Sequence, residues 1–498
     1  MTGIFSAGKA QLFPQLVFQK FYDNLGDDMA RRLVKSTDGH LIIGGNTVMY
    51  DSTGTGCSNI WVIKVDTSGF VIWEREIIMD GCEELRDMIP TKDNGLMFTG
   101  VTTSLIPHDE RGDANYWGDY FIGKVDEFGN VEWLESYGGS NLDHANGIVE
   151  GIYREYMIVG GSHSADNDVG RNYGMSDVWS LKLDSRGKPR SSKVLGTQES
   201  EWANAVAVCK NGDYLIAGYS NSSPLESSRL SPFGNGLLIR MNRSGAVLWE
   251  KKFPCPRGGY FMTTKEREDG KLMVAGVYES KHTGKDFWWL SLDSEGNRLK
   301  EVILNGYDDE YISRVEICSD QGSLFSGYSI PKGRMSEYSK GGEDFWMIRT
   351  SSYGEIVWKK TYGGPDDERC ADALEYSPGV YYAVGEKFNR FSSDPNRRKN
   401  DKDFWLLKIN ELPSDSIQAG IFVRGDDNKI TRQQPTRFRA RYKYGERFLW
   451  DFVDGTTSTE EQPLKTYDIS GMYDVKLTVF VNENCQETII LNPPLEVW

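Results

Sequence analysis

A strand-like block recurs seven times along the chain, at intervals of roughly 50 to 60 residues. Each copy combines aromatic and aliphatic residues, and most copies end in an acid followed by a glycine turn. The copies are NIWVIKVDTSG (59–69), DYFIGKVDEFG (119–129), DVWSLKLDSRG (177–187), NGLLIRMNRSG (235–245), DFWWLSLDSEG (286–296), DFWMIRTSSYG (344–354) and DFWLLKIN (403–410). A unit of this size cannot bury its apolar faces alone, so the repetition predicts a stack or a ring of like modules.

Each unit contains four short apolar runs separated by turn signals. In the first unit, the stretch ARRLVKS precedes the turn Asp38-Gly39, and the strand HLIIGG, a polar loop, the block and the strand Phe70–Glu76 follow. Short apolar runs bounded by DG, NG and SG dipeptides are typical of hairpins. The pattern therefore predicts one four-stranded antiparallel meander in each unit.

The two ends of the repeat region distinguish a ring from a stack. Six units carry a fourth strand: Phe70–Glu76, Val131–Ser136, Lys188–Lys193, Ala246–Phe253, Arg298–Leu304 and Ile356–Thr361. The seventh lacks one, whereas the segment Leu16–Tyr22 precedes the first unit and resembles IVWKKTY (356–362). One missing strand and one spare strand match, and pairing them protects the exposed edges. We therefore predict an all-β fold with a seven-bladed β-propeller over residues 16–411, closed by the N-terminal strand.

The repeat phrases resemble those of a known group of proteins. They are Tyr137-Gly138-Gly139, Tyr362-Gly363-Gly364-Pro365-Asp366-Asp367, the turn-and-strand Gly212-Asp213-Tyr214-Leu215-Ile216-Ala217-Gly218, and the Asp-Phe-Trp strands. They are similar to β-propeller repeats of secreted and surface proteins of Bacteroidota-type bacteria. The resemblance implies a fold more than a function, because one architecture hosts many functions.

A second domain follows a shift in composition at Leu412-Pro413-Ser414-Asp415-Ser416. Its residues Trp450, Phe452, Asp454, Gly455, Ser458, Pro463, Tyr467, Gly471, Tyr473, Val475, Leu477 and Val479 resemble the motif of the polycystic-kidney-disease (PKD) domain. Val453 stands where that family usually has Gly, and Lys465 where it often has His. The resemblance implies a small immunoglobulin-like β-sandwich, with Trp450 in its core, and an extracellular location. We expect an N-terminal tail or signal remnant at 1–15, a linker at 412–417 and the sandwich at 418–498.

Charge and composition exclude several functions. The formal net charge of −16 repels nucleic acid and anionic membranes. The sequence has no run of about 18 apolar residues, which a membrane span would need. The N-terminus has too few apolar residues for a complete secretory signal. Seven cysteines lack zinc spacing and give no readable disulfide framework, so we expect buried thiols.

Known catalytic motifs are not found in the sequence. There is no phosphate loop, Gly-x-Ser-x-Gly elbow or HExxH motif, and the five histidines are not clustered. We therefore expect no catalytic residues, no metal and no cofactor. Acids recur where one unit passes to the next (Asp27, Asp28, Glu83, Glu84, Asp143, Glu199, Glu201, Asp308, Asp309, Asp366 and Asp367). Repetition favours a structural role, as acceptors of backbone hydrogen bonds, over a carboxylate ring that binds a cation or a basic peptide.

The long connections of the predicted blades all lie on one face, where binding usually resides. Within 387–402, a basic patch on an acidic protein suits an acidic protein or polysaccharide, although a solvated loop is favoured; it consists of Lys387, Arg390, Arg397, Arg398, Lys399 and Lys402. In the loop 102–118, Tyr116 and Trp117 lie beside several acids, a combination that suits a sugar site. The predicted partner-binding residues are Lys387, Arg390, Arg397, Arg398, Tyr116 and Trp117. In the loop 162–176, Asp166 and Asp168 give a partial calcium-loop pattern, and a solvated acidic loop is favoured.

These features predict a non-enzymatic scaffold at the cell surface or outside the cell, associated with the outer membrane. The long-loop face docks a protein partner, and the resemblance places that partner in an envelope or type IX secretion-related assembly. The alternative is a propeller that binds or cleaves glycans, as a glycoside hydrolase or lyase would. Two isolated carboxylates facing each other in a cleft distinguish the enzyme.

Overall fold

The computed structural model describes residues 12–24, 26–50, 56–79, 81–104, 118–222, 234–255, 257–280, 284–304, 309–330, 342–389, 401–413, 419–423, 428–442, 447–482, 485–491 and 494–498. Every regular element in these ranges is a β-strand. None of the described segments is a helix long and apolar enough to cross a bilayer. The chain divides into two compact units, one from Val17 to Lys408 and the other formed by Met1–Leu16 with Ile409–Trp498.

The described residues of the repeat region form seven four-stranded sheets, each built in the predicted order. Their first strands are β2 (Asp27–Lys35), β6 (Gly81–Pro90), β10 (Asp143–Glu150), β14 (Glu201–Val208), β18 (Gly259–Glu266), β22 (Asp309–Ile317) and β26 (Glu368–Ser377). Their second strands are β3 (Leu41–Tyr50), β7 (Leu96–Ser104), β11 (Tyr156–Ser162), β15 (Tyr214–Ser220), β19 (Leu272–Glu279), β23 (Ser323–Ile330) and β27 (Val380–Asn389).

The third strands carry the repeated block. They are β4 (Gly56–Val65), β8 (Asp119–Val125), β12 (Asp177–Leu183), β16 (Asn235–Met241), β20 (Lys285–Leu292), β24 (Asp344–Thr350) and β28 (Asp401–Pro413). The outermost strands are β5 (Val71–Ile77), β9 (Val131–Tyr137), β13 (Pro189–Leu195), β17 (Val247–Phe253), β21 (Arg298–Leu304), β25 (Ile356–Tyr362) and β1 (Leu12–Tyr22). We number the sheets 1 to 7 by their first strands, so that β1 is the outermost strand of sheet 7.

The polar residue at the end of each block makes the turn to the next strand. Asp66 Oδ1 accepts hydrogen bonds from the backbone N–H groups of Ser68 and Phe70, at 2.8 and 2.9 Å. Gly69 has a φ of 79°, in the left-handed region that glycine adopts without strain. The same turn recurs at Asp126, Asp184, Asn242, Asp293 and Ser351. The acid-to-glycine signature of the repeat is therefore a turn that its own side chain stabilises.

The N-terminal strand takes the position expected of it. In sheet 7, β1 lies next to β28. Gln19 Oε1 accepts a hydrogen bond from Trp405 Nε1 at 3.1 Å, and the rings of Phe21 and Trp405 stack with centroids 6.1 Å apart. The described part of β1 includes Leu12 to Pro14 before the predicted segment, and Phe13 is fully buried in the core of the smaller unit.

The aromatic residues of the blocks are buried between neighbouring sheets. They occupy one register of the third strand and are at most 6% exposed: Trp61, Phe121, Trp179, Trp288, Trp346 and Trp405. Tyr120 packs on Trp179 of the next sheet at 4.2 Å, and Phe345 packs on Trp405 of the next sheet at 5.3 Å. These side chains are core, as the sequence predicted.

The smaller unit is built from short strands in three sheets. Its strands are β29 (Ala419–Val423), β30 (Lys429–Ile430), β31 (Thr436–Tyr442), β32 (Arg447–Asp451), β33 (Thr457–Ser458), β34 (Leu464–Lys465), β35 (Gly471–Tyr473), β36 (Lys476–Asn482), β37 (Cys485–Ile490) and β38 (Leu495–Val497). The largest sheet has the order β33-β32-β36-β37. Trp450 is fully buried, and its Nε1 donates to the carbonyl of Glu460 at 2.8 Å.

Candidate functional site

A β-bulge occurs at the same point in every first strand of the larger unit. In β2 the register shifts between Ala30 and Arg32, and in β6 between Leu85 and Asp87. The remaining five first strands shift in the same way. The seven bulged residues are Arg31, Arg86, Asn146, Asn204, Met262, Ser313 and Ala371, and all seven line one cavity of about 320 Å³. The bulges thus project one side chain from each sheet to a common point, as bulges at functional sites often do.

This cavity lies toward the long connections. The first strands begin at that end, since Asp27 at the start of β2 pairs with Val48 of β3, beside the first long loop. The bulged residues also join neighbouring first strands. Asn146 Nδ2 donates to the carbonyl of Ala203 and Asn204 Nδ2 to that of Phe261, both at 2.8 Å.

The walls of the cavity differ in chemistry. On one side, Glu84 forms ion pairs with both Arg31 and Arg86, at 3.2 and 2.8 Å. On the other side are Tyr260 and Tyr311, and Tyr311 stacks on Tyr328 with centroids 4.9 Å apart and planes 4° from parallel.

Four charged residues follow the bulges and form a buried cluster next to this cavity. Arg32 is paired with Asp87 at 2.7 Å and with Asp372 at 2.5 Å, and Arg314 is paired with Asp87 at 2.9 Å. Burial lowers the pKa of Arg314, and the positive charge of Arg32 lowers it further. Burial opposes the charge of Arg32 as well, but Asp372 and Asp87 outweigh it, so that its pKa is raised. Arg314 also lines a second cavity, of about 560 Å³, toward the short turns.

Three of the recurring acids, Asp28, Asp143 and Glu201, bond to backbone, as the structural interpretation predicted. Glu368, which was not among the acids identified from the sequence, does the same, and all four are at most 2% exposed. Each accepts a hydrogen bond from the N–H group four residues earlier, donated by Asn24, Gly139, Thr197 and Gly364 respectively. The carboxylates therefore stabilise the conformation of the segment that connects one sheet to the next.

A second set of acids, at the start of the third strands, lies close to the first set. Asp119 and Asp143, Asp177 and Glu201, and Asp344 and Glu368 are the adjacent pairs. A Cβ on Gly138 would lie 2.0 Å from Asp119 Oδ1 and 2.9 Å from Asp143 Oδ2, and Gly363 is similarly placed beside Asp344 and Glu368. The glycine of the Tyr-Gly-Gly phrase is therefore required by this close approach.

The pKa values of several carboxyl groups in these pairs are raised. Burial, followed by the charges of Asp143 and Asp168, raises the pKa of Asp119 to about 6. Burial also raises the pKa values of Asp143 and Asp177. Because the arrangement recurs between several sheets, it fits a structural role better than a unique catalytic pair.

The predicted basic patch lies mostly outside the described residues. Arg390, Arg397, Arg398, Tyr116 and Trp117 all fall in undescribed ranges. Lys387 is described, and its Nζ lies 3.2 Å from Oε1 of the buried Glu368 and 5.5 Å from the ring centre of Trp405. These contacts hold Lys387 within sheet 7.

The loop 162–176 is described and is held by its acids. Asp166 Oδ1 accepts a hydrogen bond from the N–H of Ser140 at 2.8 Å, and Asp168 Oδ2 accepts one from Gly138 at 3.2 Å. Tyr173 and Met175 on this loop are 48% and 68% exposed. Arg171 donates to the hydroxyl of Tyr173 at 2.7 Å.

One disulfide links the first two sheets. Cys57 of β4 and Cys82 of β6 are bonded, whereas Cys209, Cys255, Cys318 and Cys370 are buried thiols. The expectation of buried thiols is correct for those four and wrong for Cys57 and Cys82. The bond forms because the end of a long loop meets the start of the next sheet, a proximity that sequence spacing does not reveal.

Sequence reasoning also missed the cavity. At each bulge, two consecutive residues interrupt the alternation of apolar and polar residues along the first strand, as Arg31-Arg32 and Arg86-Asp87 do. This repeated interruption is the sequence signal that could have indicated the bulges.

These features define an all-β protein of blade-like four-stranded sheets with a PKD domain at its C-terminus. The family model described as "PKD domain" matches residues 420–491. In this unit Lys465, at the position where His is common, forms an ion pair with Asp454 at 2.5 Å. The family match lies within the smaller unit, and the larger unit is characterised by its own strand pairing.

Comparisons over longer stretches find distant similarity. Collagenase ColA of Bacillus cereus is 22% identical over 181 residues, which are 36% of this chain and 18% of the collagenase. The chain thus spans less than a fifth of the curated relative that it matches. Solved structures include "YCF48 bound to D1 peptide" (8% identity, 81% of this chain and 98% of that chain, TM-score 0.41). Sqt1 from Chaetomium thermophilum (11%, 80% and 100%, 0.42) and puromycin hydrolase (8%, 92% and 61%, 0.44) are similar to the same degree. These structural similarities are too distant to support a function.

Proposed function

We propose that this protein is a non-enzymatic interaction scaffold outside the cell or at its surface, in which the long-loop face of a closed seven-bladed propeller docks a protein partner. The observation that carries the proposal is the loop 162–176, which exposes Tyr173 and Met175 beside Arg171. Tyrosine, methionine and arginine are the residue types enriched in protein interfaces. The loop is anchored by its acids, so these side chains are presented on a supported backbone.

Contacts between sheet 7 and sheet 1 support closure of the ring. β2 contacts both β26 and β27. Tyr22 at the end of β1 donates its hydroxyl to the carbonyl of Gly69 in sheet 1, at 2.9 Å. Tyr137 at the end of β9 makes the same contact with Gly187 of the next sheet, at 2.5 Å. The junction between the last and first sheets therefore repeats an internal junction.

Three observations support an extracellular setting. The Cys57–Cys82 disulfide is of a kind that persists in oxidising compartments. The PKD domain and the partial similarity to a collagenase point the same way. We carry forward the resemblance to Bacteroidota-type surface proteins, and with it an envelope or secretion-related assembly at the outer membrane, as part of this proposal.

The glycan-binding or glycan-cleaving alternative has one favourable observation, the polar cavity with its tyrosine wall. The carboxylate pairs between sheets argue against glycan cleavage, because they accept hydrogen bonds from backbone amides and recur in several sheets. The non-enzymatic role therefore remains the preferred proposal.

Site-specific photo-crosslinking tests the docking face. A photoreactive phenylalanine analogue is placed at Tyr173 or Met175, and at the control positions Phe128 and Tyr353 in short turns, which are 60% and 75% exposed. The tagged full chain is expressed in its native cells, irradiated and purified. We expect one discrete crosslinked protein from the first two positions and none from the controls. Crosslinking to the same protein from the controls alone contradicts the proposal.

A further inference from the structure

The 320 Å³ cavity is within the size range of small-molecule sites and has two unlike walls. Arg31 and Arg86 share a single carboxylate, Glu84, so this wall carries one more positive than negative group. The adjacent cluster of Arg32, Arg314, Asp87 and Asp372 has two groups of each sign. The excess positive charge faces the cavity on a protein whose net charge is −16.

The excess positive charge affects the pKa values of groups around the arginines. Burial lowers the pKa of Arg86, with a further decrease from Arg31 that Glu84 opposes. Burial also lowers the pKa of nearby His144 to about 4, and the charge of Arg86 contributes. An anion in the cavity supplies the negative charge that this wall lacks, at the guanidinium groups that line it.

The remaining groups accept hydrogen bonds or present ring faces. Asn146 and Asn204 use their Nδ2 groups on carbonyls of the next strands, and their amide oxygens are acceptors for a ligand hydroxyl. Tyr260 and Tyr311 line the opposite side, and the stack of Tyr311 on Tyr328 fixes one of these rings. Aromatic faces beside hydroxyl acceptors suit a polyhydroxylated ring.

We propose that this cavity binds an acidic sugar, with its carboxylate on Arg31 and Arg86, its hydroxyls on the amide oxygens of Asn146 and Asn204, and its ring against Tyr260 and Tyr311. A neutral sugar leaves the arginine wall uncompensated, and a plain carboxylate leaves the amide and tyrosine groups unused. The inference concerns a cavity formed by the bulged residues, and it holds whether or not the loops above it dock a protein.

Calorimetric titration of the full chain tests this binding. The probe is glucuronate, with glucose as the neutral ring and lactate as a monocarboxylate without a sugar ring. We expect saturable binding of glucuronate, weakening as salt is raised, and at least tenfold weaker binding of the other two compounds. Equal binding of glucose or of lactate overturns the assignment, as does an absence of glucuronate binding.

Two variants place the site in the cavity. Arg86→Gln removes one charge of the clamp, and Ala371→Met reduces the cavity volume from another bulge while both arginines are retained. We expect each to weaken glucuronate binding at least tenfold while the melting temperature stays close to that of the parent. Arg75→Gln, on an outermost strand and exposed, is the control and leaves the affinity unchanged. Unaltered affinity in both cavity variants overturns the proposal.

Discussion

Arg32 and Asp372 are 340 residues apart in sequence and form an ion pair with a separation of 2.5 Å between Nη1 and Oδ2. The same Oδ2 atom accepts a hydrogen bond from the N–H of Leu33 at 2.9 Å. The pair joins the first strand of sheet 1 to the first strand of sheet 7. It therefore makes the junction between the ends of the repeat region depend on buried charges.

Replacement of Asp372 by Asn tests this junction. The loss of the carboxylate leaves a buried excess positive charge on Arg32, and we expect a decrease of roughly 3 kcal/mol in the free energy of unfolding. The double variant Arg32→Met with Asp372→Asn should recover much of that loss, because it removes the unpaired charge. Denaturant unfolding followed by tryptophan fluorescence measures both. Asp269→Asn, in an exposed pair with Lys271, is the control and should change stability by less than about 1 kcal/mol. A loss for Asp372→Asn no larger than that of the control contradicts the structural role.

The disulfide predicts that the stability of the protein depends on redox conditions. Cys57 and Cys82 close a loop with a sequence separation of 25 residues. Replacing both by Ser should lower stability by about 3 kcal/mol, since the unfolded chain gains freedom. Dithiothreitol should destabilise the parent protein to a similar degree and leave the double variant unchanged. If the reductant destabilises both proteins equally, then another thiol pair is responsible.

The pKa of Asp119 predicts a pH dependence of stability. Its folded-state value is raised from 3.8 to about 6, so its contribution to stability is fully present below about pH 4 and is lost as the pH rises through 6. Asp119→Asn should therefore stabilise the protein at pH 7, by roughly 1 kcal/mol after allowance for solvent screening, and have little effect at pH 4. Melting curves at the two pH values test this. Asp126→Asn, whose carboxyl has a lowered pKa through turn hydrogen bonds, should give no such gain at pH 7. An equal gain for Asp119→Asn at both pH values contradicts the titration of this carboxyl.

A departure from the PKD motif predicts a stabilising substitution. Val453 has a φ of 59° and is 45% exposed, so it carries the steric cost of left-handed backbone without much burial in return. Val453→Gly should stabilise the smaller unit by roughly 1 kcal/mol. Hydrogen exchange in peptides covering β32 and β36 should slow in this variant. The matched change Val247→Gly, at an exposed valine within strand β17, should instead destabilise its sheet. Faster exchange in Val453→Gly would show that the backbone is not strained there.

Sequence alone predicted the elements that depend on local chemistry. The Asp66-to-Gly69 turn is readable because its hydrogen bonds join residues only a few positions apart. The place of β1 was predicted because Leu16–Tyr22 has the pattern of an outermost strand that the seventh unit lacks. Burial of Trp450 was expected from the resemblance of its surroundings to the PKD motif.

The features that sequence did not reveal depend on neighbours from other sheets. Asp119 meets Asp143 only where two sheets adjoin, and Cys57 meets Cys82 for the same reason. The cavity requires a register shift in every first strand, and register is decided by pairing across strands rather than by composition. From the sequence alone, Arg31 and Arg86 are therefore indistinguishable from exposed surface residues.

The pairing of Gln19 with Trp405 sets an order of events during synthesis. These residues are 386 positions apart, so the strand that is made first has no partner until nearly all of the repeat region has been translated. At about 5–20 residues per second, that delay is roughly 20 to 80 seconds. For this interval β1 is an apolar segment without its neighbouring strand, and we expect chaperones to bind the nascent chain there.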